Sequence, residues 1–540
     1  MTISLYFHTL RFLKPVQFTE RLRKRFRKLD CAASAAIKLR LPQAEWVDVR
    51  LARQSLLSDA QARFLNQTGS TLQWNDPQRE KLWLYNLHYF DDLNSIDAAE
   101  RVSMHRGLIA CWISENPAPF GNGWEPYPLS LRIVNWIKGF QQGLSPEPVW
   151  LHSLALQTKL LSQTLEHHLL GNHLFANAKA LLFAGLYFEG HEADNWLNTA
   201  LEILDRQIPE QVLADGGNFE LSPMYHAIIT QDMLDLINIA QCYEHPATNK
   251  RLAAWKTRTS QMLSWLDTMT HPDGQVSFFN DSAQGIAPTY AQLTGYAERM
   301  GITTASIADG HCPVQHLKDT GYVRVNADGA VALLDVASVG PDYIPGHAHA
   351  DSLSFELFAF GRRLLVNSGT SCYGTSAERL RQRGTAAHNT VLINDADSSM
   401  VWGGFRVAQR AYPQGLKIEE TADRIKVACS HTGYRWLKGK PQHHRQWLFD
   451  RCTLSVVDTV SGRFDRAQAR FHIHPDWRAE LNGKQLLCQD AEGHCVTLEV
   501  IEGQASLEAS SYHPEFGLSI PNQVLAVDFV SARTEVLIAW

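Results

Sequence analysis

The sequence has few cysteines, and their spacing fits neither a disulfide framework nor a cysteine zinc site. Nine cysteines lie singly among 540 residues, and no two form a C-x-x-C pair. A dispersed, odd-numbered set is typical of reduced and mostly buried thiols. This pattern argues against a small secreted domain held together by disulfides.

Long apolar runs and an excess of positive charge are also lacking. No stretch approaches the roughly 20 apolar residues that a membrane-spanning helix requires. The formal net charge is −6, so no basic field indicates nucleic-acid binding. We expect no membrane span and no nucleic-acid partner, and any anionic partner must be met by local arginines or lysines.

The first thirty residues lack the pattern of a secretory signal peptide. MTISLYFHTLRFLKPVQFTERLRKRFRKLD has no early basic region followed by an uninterrupted apolar stretch, and no small-residue cleavage pattern. Together with the dispersed cysteines, this favours a cytoplasmic location, with the periplasm as the alternative.

The pattern of apolar residues changes near residue 318. Before it, segments such as PVWLHSLALQTKLLSQTLEHHLL repeat apolar residues every three or four positions, which is typical of helices. After it, short alternating segments such as GYVRVN, LSFELFAF and TLSVVDTV predict strands. We predict a multidomain α+β chain with a helical lead-in (1–100), an (α/α) toroid of helical hairpins (101–317) and an antiparallel β-sandwich (318–540). Because no low-complexity linker separates the parts, we expect them to pack with a cleft between them.

One short stretch, PGHAHAD at residues 345–351, concentrates groups that can move protons or bind metals. On an extended strand, His347, His349 and Asp351 would project to the same face. The segment RGTAAHNTVLIND adds His388 at the start of another strand. Imidazole nitrogens and a carboxylate are good zinc ligands. The pattern leaves open a metal site, a proton-transfer site, or structural histidines.

Polar and aromatic residues also occur at predicted helix entrances and in an arginine-rich segment. Each residue alone fits a helix cap, a half-buried aromatic or a solvated face, whereas guanidinium groups beside aromatic rings can also bind carboxylate or sulfate. The loops at one end of a toroid would gather such residues into a binding cleft. The residues concerned are Glu125, Tyr127, Arg132, Asn172, His173, Tyr225, His226, Tyr373, Arg379, Arg381 and Arg383.

Several of these segments together resemble a known family. GHAHADSLSFELFAFGRRLLVNSGTSCYG followed by RGTAAHNTVLIND resembles the heparinase II/III-like polysaccharide lyases, and GNHLFANAKAL and DGGNFELSPMYH are similar to the helical half of that family. LYFHTLRFLKPVQFTERL and LYNLHYFDDL look like its N-terminal part, so the resemblance spans most of the chain. It implies the same toroid-plus-sandwich fold. It also implies β-elimination on a uronate-containing acidic glycan, such as a bacterial exopolysaccharide or capsule, or a heparin- or alginate-like polymer.

The resemblance also implies roles for individual residues. Asn172, helped by His173, would neutralise the uronate carboxylate, while Tyr225 would be the acid and, for one sugar stereochemistry, also the base. His347 would be the other candidate base. A tyrosine base needs nearby positive charge to lower its pKa. Substrate contacts are expected from Glu125, Tyr127, Arg132, Tyr373, Arg379 and Arg383.

The family's metal pattern is His, Asp, His, and this sequence departs from it. His349 and His388 match the histidines, but Asn367 in LLVNSG stands where the family usually has Asp. Because Asn brings no charge, the affinity for zinc should fall. We expect at most one structural zinc ion on these three residues, with Asp351 substituting only if the strand geometry allows it, and no organic cofactor.

Two alternatives to a lyase remain open at this point. A uronate C5-epimerase begins with the same proton abstraction and returns the proton to the opposite face. A non-catalytic glycan-binding or assembly protein of polysaccharide biosynthesis would keep the fold without turnover. The residues named above do not separate these three functions.

Overall fold

The helices concentrate in the first three hundred residues. The structure is a computed structural model that describes residues 2–32, 38–304 and 312–540. The helices of these residues are α1 (Thr2–Leu10), α2 (Pro15–Phe26), α3 (Lys81–Tyr89), α4 (Val102–Glu115), α5 (Pro126–Gln141), α6 (Pro148–Gln163), α7 (Gly171–Tyr187), α8 (His191–Gln211), α9 (Pro223–Tyr243), α10 (Pro246–Met269), α11 (Tyr290–Arg299) and α12 (Ala377–Arg383).

Local sequence signals explain where several helices begin. Helices α5, α6, α9 and α10 each have proline at their first position, where the missing N–H would have no partner in the helix anyway. Helix α7 is buried along nearly its whole length and packs against α5, α8 and α9. One hydrophobic core joins these helices, from Trp46 to Ile302. The closure of the helices into a toroid stays a prediction.

Most strands follow residue 313. The strands are β1 (Lys38–Leu39), β2 (Leu56–Ser58), β3 (Gln61–Phe64), β4 (Gln67–Ser70), β5 (Phe188–Glu189), β6 (Val314–Leu317), β7 (Tyr322–Ala327), β8 (Ala330–Asp335), β9 (Phe355–Ala359), β10 (Arg362–Leu365), β11 (Val391–Ile393), β12 (Val401–Trp402), β13 (Arg406–Val407), β14 (Pro413–Glu420), β15 (Arg424–His431), β16 (Gln442–Asp450), β17 (Thr453–Ser461), β18 (Ala467–Ile473), β19 (Arg478–Asn482), β20 (Gln485–Gln489), β21 (Cys495–Glu502), β22 (Gln504–Tyr512), β23 (Ile520–Asp528) and β24 (Arg533–Ala539).

Two large antiparallel sheets face each other in this second part. The first has the order β22-β23-β18-β10-β9-β8-β7-β6, with β11 also paired to β18, and the second has the order β14-β15-β16-β17-β24-β21-β20-β19. A single core fills the space between them. Across it, the rings of Phe355 and Trp447 meet edge to face with centroids 6.3 Å apart. The predicted fold class, a helical part followed by an antiparallel β-sandwich, is confirmed.

The first hundred residues differ from the expected helical lead-in. They contain α1, α2 and α3, but also the three-stranded sheet β2-β3-β4. The predicted domain boundaries themselves stay predictions. In the described ranges, no helix has the length and apolar character needed to cross a membrane.

The two halves of the chain pack directly on each other. The Tyr322 hydroxyl donates to the carbonyl of Leu221, 2.7 Å away, and the Trp265 indole donates to the Thr320 hydroxyl at 2.9 Å. As a result, the long loop between β8 and β9 lies against the beginnings of α7 and α9. This junction holds the residues described next.

Candidate active site

Two helix beginnings and one loop from the sandwich form the site. Asn172 is the second residue of α7, and Tyr225 lies in the first turn of α9, where its N–H donates to the Ser222 hydroxyl. His347 is in the loop between β8 and β9. Helix N-termini carry partial positive charge, so this junction favours an anionic ligand.

His347 is held by a carboxylate on one side and faces an amide on the other. Its Nδ1 lies 2.9 Å from Oδ2 of Asp281, whereas its Nε2 lies 3.5 Å from the Asn172 amide nitrogen and 3.3 Å from Oε2 of Glu220. The imidazole stacks on the Tyr225 ring with centroids 3.9 Å apart, and its side chain is 14% exposed. If Nδ1 donates its proton to Asp281, Nε2 is the remaining proton acceptor of the ring, and it faces both the Asn172 amide and the Glu220 carboxylate.

Asp281 links this histidine to a second one. Its carboxylate also lies 2.8 Å from Nε2 of His349 and receives two N–H groups of Arg379. Burial raises the pKa of Asp281, but Arg379 and the two histidines lower it by a larger amount. The pKa of Asp281 therefore lies well below its ordinary value. The group is therefore a carboxylate that orients both imidazoles.

The sequence analysis missed Asp281, and the reason is its position. It lies in the segment SFFNDSAQ between α10 and α11, 66 residues before His347. The polar pair Asn280-Asp281 after two phenylalanines is a weak signal of a buried functional carboxylate. Nothing in the local pattern connects it to the histidines.

Tyr225 is buried beside a second tyrosine. Its hydroxyl lies 2.9 Å from the Tyr373 hydroxyl, and burial, followed by the neighbouring Tyr373, raises its pKa well above 10.0. The positive charge that a tyrosine base would need is neutralised, because Arg379 is paired with Asp281. The raised pKa fits the expected acid role of Tyr225, and its second expected role, as a base, stays a prediction.

His173 follows Asn172 in the chain and contacts a carboxylate. Its Nδ1 lies 3.2 Å from Oε1 of Glu166, and its ring lies against Tyr127 with centroids 4.5 Å apart. Burial lowers the pKa of His173, but Glu166 raises it by more, so that it lies above 6.5. Burial likewise raises the pKa of Glu166, and His173 together with the Asn177 amide lowers it below 4.5. His173 and Glu166 therefore form a contact at the helix entrance in which each group favours the charged form of the other.

Glu220 is a second carboxylate that the sequence analysis did not single out, although the quoted segment DGGNFELSPMYH contains it. Its Oε1 accepts the Asn172 backbone N–H at 3.2 Å, so it holds the first turn of α7. The preceding Gly171 has φ +54°, and a Cβ there would lie only 2.9 Å from this oxygen. Gly171 and Glu220 together fix where the Asn172 side chain points.

Three of the expected substrate-binding residues lie around this core. Tyr127 packs on His173, and Tyr373 packs on Phe405 with ring centroids 5.2 Å apart. The Glu125 carboxylate is already engaged, because it accepts hydrogen bonds from the Tyr85 hydroxyl and from the Lys81 ammonium at 2.9 Å. Phe405, which the sequence analysis did not name, lies 6.3 Å from the His347 ring and forms part of the wall.

The three arginines expected to grip substrate are placed otherwise. All three side chains are 0% exposed. Arg132 donates to the carbonyls of Gly123 and His88, and Arg383 donates to the carbonyl of Ala348. Arg379 binds Asp281 beneath His347. The expectation of direct substrate contact is therefore replaced by structural and positioning roles, because no guanidinium of the three reaches the cleft.

The segment PGHAHAD is not a strand, and this changes which residues meet. It forms an irregular loop, and β9 begins only at Phe355. The loop brings together His349, Asp351 and His388, all buried, with one potential ligand atom from each within 4.8 Å of the others. The expected set had Asn367 in place of Asp351, so the carboxylate comes from the motif itself.

Three imidazole nitrogens of this group have no hydrogen-bond partner in the described residues and could ligate a metal ion. Because Nε2 of His349 faces Asp281, its Nδ1 is left without a partner, and neither ring nitrogen of His388 has one in the described residues. Burial, followed by His349 and His472, lowers the pKa of His388 well below 6.5, so the ring is neutral. A carboxylate behind a ligating histidine is the usual support of a metal-bound imidazole.

Asn367 lies beside this group and is fully buried. Its Oδ1 accepts the backbone N–H of Asn389, 3.3 Å away, and its Nδ2 has no partner in the described residues. Asn389 directly follows His388, so this hydrogen bond ties Asn367 to the segment that carries His388. The residue at the position usually held by Asp therefore braces the segment.

Comparison with known families identifies the family of this chain. A family model for the heparinase II/III N-terminus matches residues 76–300, and a model described as heparinase II/III-like, C-terminal, matches residues 311–540. The chain belongs to the heparinase II/III-like family.

Curated relatives of this heparinase II/III-like chain are named heparin-sulfate lyases. The protein from Bacteroides stercoris is 27% identical over 296 residues, which is 50% of this chain and 44% of that protein. The protein from Bacteroides thetaiotaomicron is 25% identical over 383 residues, covering 63% of this chain and 52% of that one. The chain thus spans about half the length of the curated relatives it matches.

Solved structures of the family share the fold. A crystal structure of heparinase III matches with a TM-score of 0.70 at 20% identity, covering 87% of this chain and 79% of that chain. A mutant of heparan sulfate lyase HepC from Pedobacter heparinus matches with a TM-score of 0.60 at 17% identity, covering 97% and 87%. The arrangement of a helical part and a sandwich is therefore that of these proteins.

Proposed function

We propose that this chain is a polysaccharide lyase that cleaves a uronate-containing acidic glycan by β-elimination. The observation that carries the proposal is the position of His347, oriented by Asp281, stacked on Tyr225 and facing the Asn172 amide. The lyases named among its relatives support the same reaction class. We further propose a glycan of a bacterial exopolysaccharide or capsule, or a heparin-like polymer. A cytoplasmic location stays a prediction.

The first task of the site is to make the C5 proton of the uronate acidic. That proton becomes removable only when the adjacent carboxylate is neutralised and the enolate-like charge is stabilised. The Asn172 amide and the imidazolium of His173 stand together at the beginning of α7 and fit this task. The partial positive charge of the helix terminus adds to theirs.

The second task is proton transfer. Nε2 of His347 takes the C5 proton, and Asp281 stabilises the imidazolium that forms, as a buried carboxylate does for a catalytic histidine. The Tyr225 hydroxyl, protonated because its pKa is raised, gives its proton to the departing O4. The C5–H and C4–O4 bonds break, a C4–C5 double bond forms, and the Tyr373 hydroxyl donates a hydrogen bond to the tyrosinate.

We also propose that His349, Asp351 and His388 hold one structural zinc ion. The support is the set of unpartnered imidazole nitrogens and the carboxylate within 4.8 Å. A bound zinc ion would cross-link the loop of His349 to the segment of His388 and so fix Asp281. Metal analysis of the purified protein, together with thermal unfolding before and after chelation, tests this proposal. We expect a stoichiometric zinc ion and a lower unfolding midpoint after chelation. The absence of both would contradict the proposal.

The reaction is tested by incubating the protein with a panel of uronate polymers and recording the ultraviolet absorbance of the unsaturated product. Tyr225→Phe should abolish the signal. Tyr434→Phe is the matched control, because it removes a buried hydroxyl that donates to the Val391 carbonyl, inside the sandwich. No signal from wild type on any polymer, or equal signals from both variants, would contradict the proposal. Inverted C5 without cleavage would indicate the epimerase.

A further inference from the structure

A second polar cavity lies outside the site described above. It has a volume of about 380 Å³, and its lining includes Arg11, Gln409, Arg410, Tyr412, Arg435 and Trp436. Arg11, Tyr412 and Arg435 are exposed, so the cavity opens to solvent. It is built where α1 meets the segment after β13 and the turn after β15.

The cavity carries an excess of positive charge. Arg410 is neutralised by Asp342, to which its two terminal nitrogens donate. In the described parts of the chain, Arg11 and Arg435 have no carboxylate within ion-pair distance, and Arg435 donates only to the Gln442 side chain at 2.9 Å. Three arginines therefore face one carboxylate, which leaves two positive charges for a ligand.

The remaining lining suits a sugar. Tyr412 and Trp436 contribute aromatic rings to the lining, and Gln409 and Thr432 contribute polar groups. Two buried N–H groups of the lining residues, Nε of Arg410 and Nε1 of Trp436, have no hydrogen-bond partner in the described residues.

The cavity is connected to the candidate active site through the chain itself. Phe405 lies in the wall beside His347, and Gln409 follows it by four residues, a span of at most about 14 Å. Asp342, the partner of Arg410, belongs to the same loop as His347. Val407 packs against Ala348 between the two places.

We propose that this cavity is a second carbohydrate-binding site, which holds an acidic sugar of the same glycan chain away from the reacting uronate. Arg11 and Arg435 bind its carboxylate or sulfate, and Tyr412 or Trp436 packs on the sugar ring. The inference rests on the proposed function in one respect: the ligand of this second site is another sugar of the glycan that the lyase would cleave. Its consequence is that long acidic chains are bound more tightly than short ones.

The test measures binding without turnover. A heparosan hexasaccharide and the corresponding disaccharide are titrated calorimetrically into Tyr225→Phe, with and without the added changes Arg11→Ala and Arg435→Ala. We expect about a fivefold loss of hexasaccharide affinity for each exposed arginine removed, so that the advantage of the hexasaccharide over the disaccharide narrows. Arg478→Ala, an exposed arginine on β19 at the far edge of its sheet, is the matched control and should change nothing.

Two outcomes would overturn the inference: hexasaccharide affinity unchanged in the doubly substituted protein, or the same loss from Arg478→Ala, which would indicate only a general charge effect. The fate of the lyase proposal is separate. If wild type cleaves uronate polymers while the arginine changes leave binding intact, only the second site is refuted. If no polymer is cleaved but binding depends on Arg11 and Arg435, the second site stands and the lyase proposal falls.

Discussion

Replacing Asp281 by asparagine removes the charge that holds the candidate active site together. The carboxylate accepts hydrogen bonds from His347, His349 and Arg379, and its side chain is 0% exposed. The amide leaves the fully buried Arg379 without a counter-charge. Loss of one partner of a buried pair costs about 3–5 kcal/mol in the free energy of unfolding. For a unit the size of the sandwich, this lowers the unfolding midpoint by roughly 6–10 °C.

The same change should lower kcat even under conditions where the variant is fully folded. The asparagine NH₂ can donate to Nδ1 of His347, which moves the imidazole proton to Nε2 and removes the free lone pair. We expect kcat to fall about 10²- to 10⁴-fold. Initial rates are measured by the ultraviolet absorbance of product, at a temperature where calorimetry shows the variant folded.

Asp458→Asn is the matched control. Asp458 is equally buried and pairs with Arg445 and His443, inside the sandwich. It should lose comparable stability while its kcat stays within about twofold of wild type. If folded Asp281→Asn keeps the wild-type kcat, or if both variants lose turnover equally, the reasoning about His347 is refuted.

Three further predictions follow from the site. Glu166 raises the pKa of His173 above 6.5, so His173 is charged below that raised pKa and neutral above it. Glu166→Gln should therefore move the fall of kcat/KM at high pH to a lower pH. A fall at the same pH as in wild type would contradict the pairing of His173 with Glu166. His388→Ala should abolish bound zinc in atomic absorption measurements, and retained stoichiometric zinc would exclude this site. Arg132→Met should lower the free energy of unfolding by about 2–4 kcal/mol, measured by thermal unfolding, because two buried carbonyls lose their hydrogen-bond donors. The kcat/KM of the folded variant should stay unchanged. A loss of kcat/KM without a loss of stability would instead indicate that Arg132 binds substrate.

The order of helices and strands was predictable from the periodicity of apolar residues, whereas the contacts between residues far apart in the sequence were not. The change from helical to alternating patterns near residue 318 corresponds to the passage from α11 to β6. The small sheet β2-β3-β4 was missed because its strands are only three or four residues long. Such short segments carry too few alternating positions to stand out.

The site residues show the same division. His347, Asn172 and Tyr225 lie in recognisable motifs, and the structure brings them together. Asp281 has no motif, because its partners come from other parts of the chain. A local pattern also could not show that Arg379 points inward, since the carboxylate that compensates its burial is 98 residues away.

The group of His349, Asp351 and His388 could not be predicted because the sequence indicated the wrong secondary structure for the motif. Alternation along PGHAHAD predicted a strand, but the segment is a loop, and this geometry lets Asp351 meet His349 and His388. Leu353, with φ +61°, shows how far the backbone departs from a strand just before β9. The carboxyl group of Asp351 thus lies beside the two histidines, whereas Asn367 carries no charge.

The most direct test of the proposed chemistry is exchange of the uronate C5 proton with deuterated water, followed by NMR on a polymer that wild type cleaves. If His347 is the base and Tyr225 the acid, Tyr225→Phe should still exchange the C5 proton while cleaving little, and His347→Ala should neither exchange nor cleave. Exchange that persists in His347→Ala, or that disappears only with Tyr225→Phe, would contradict this assignment of base and acid.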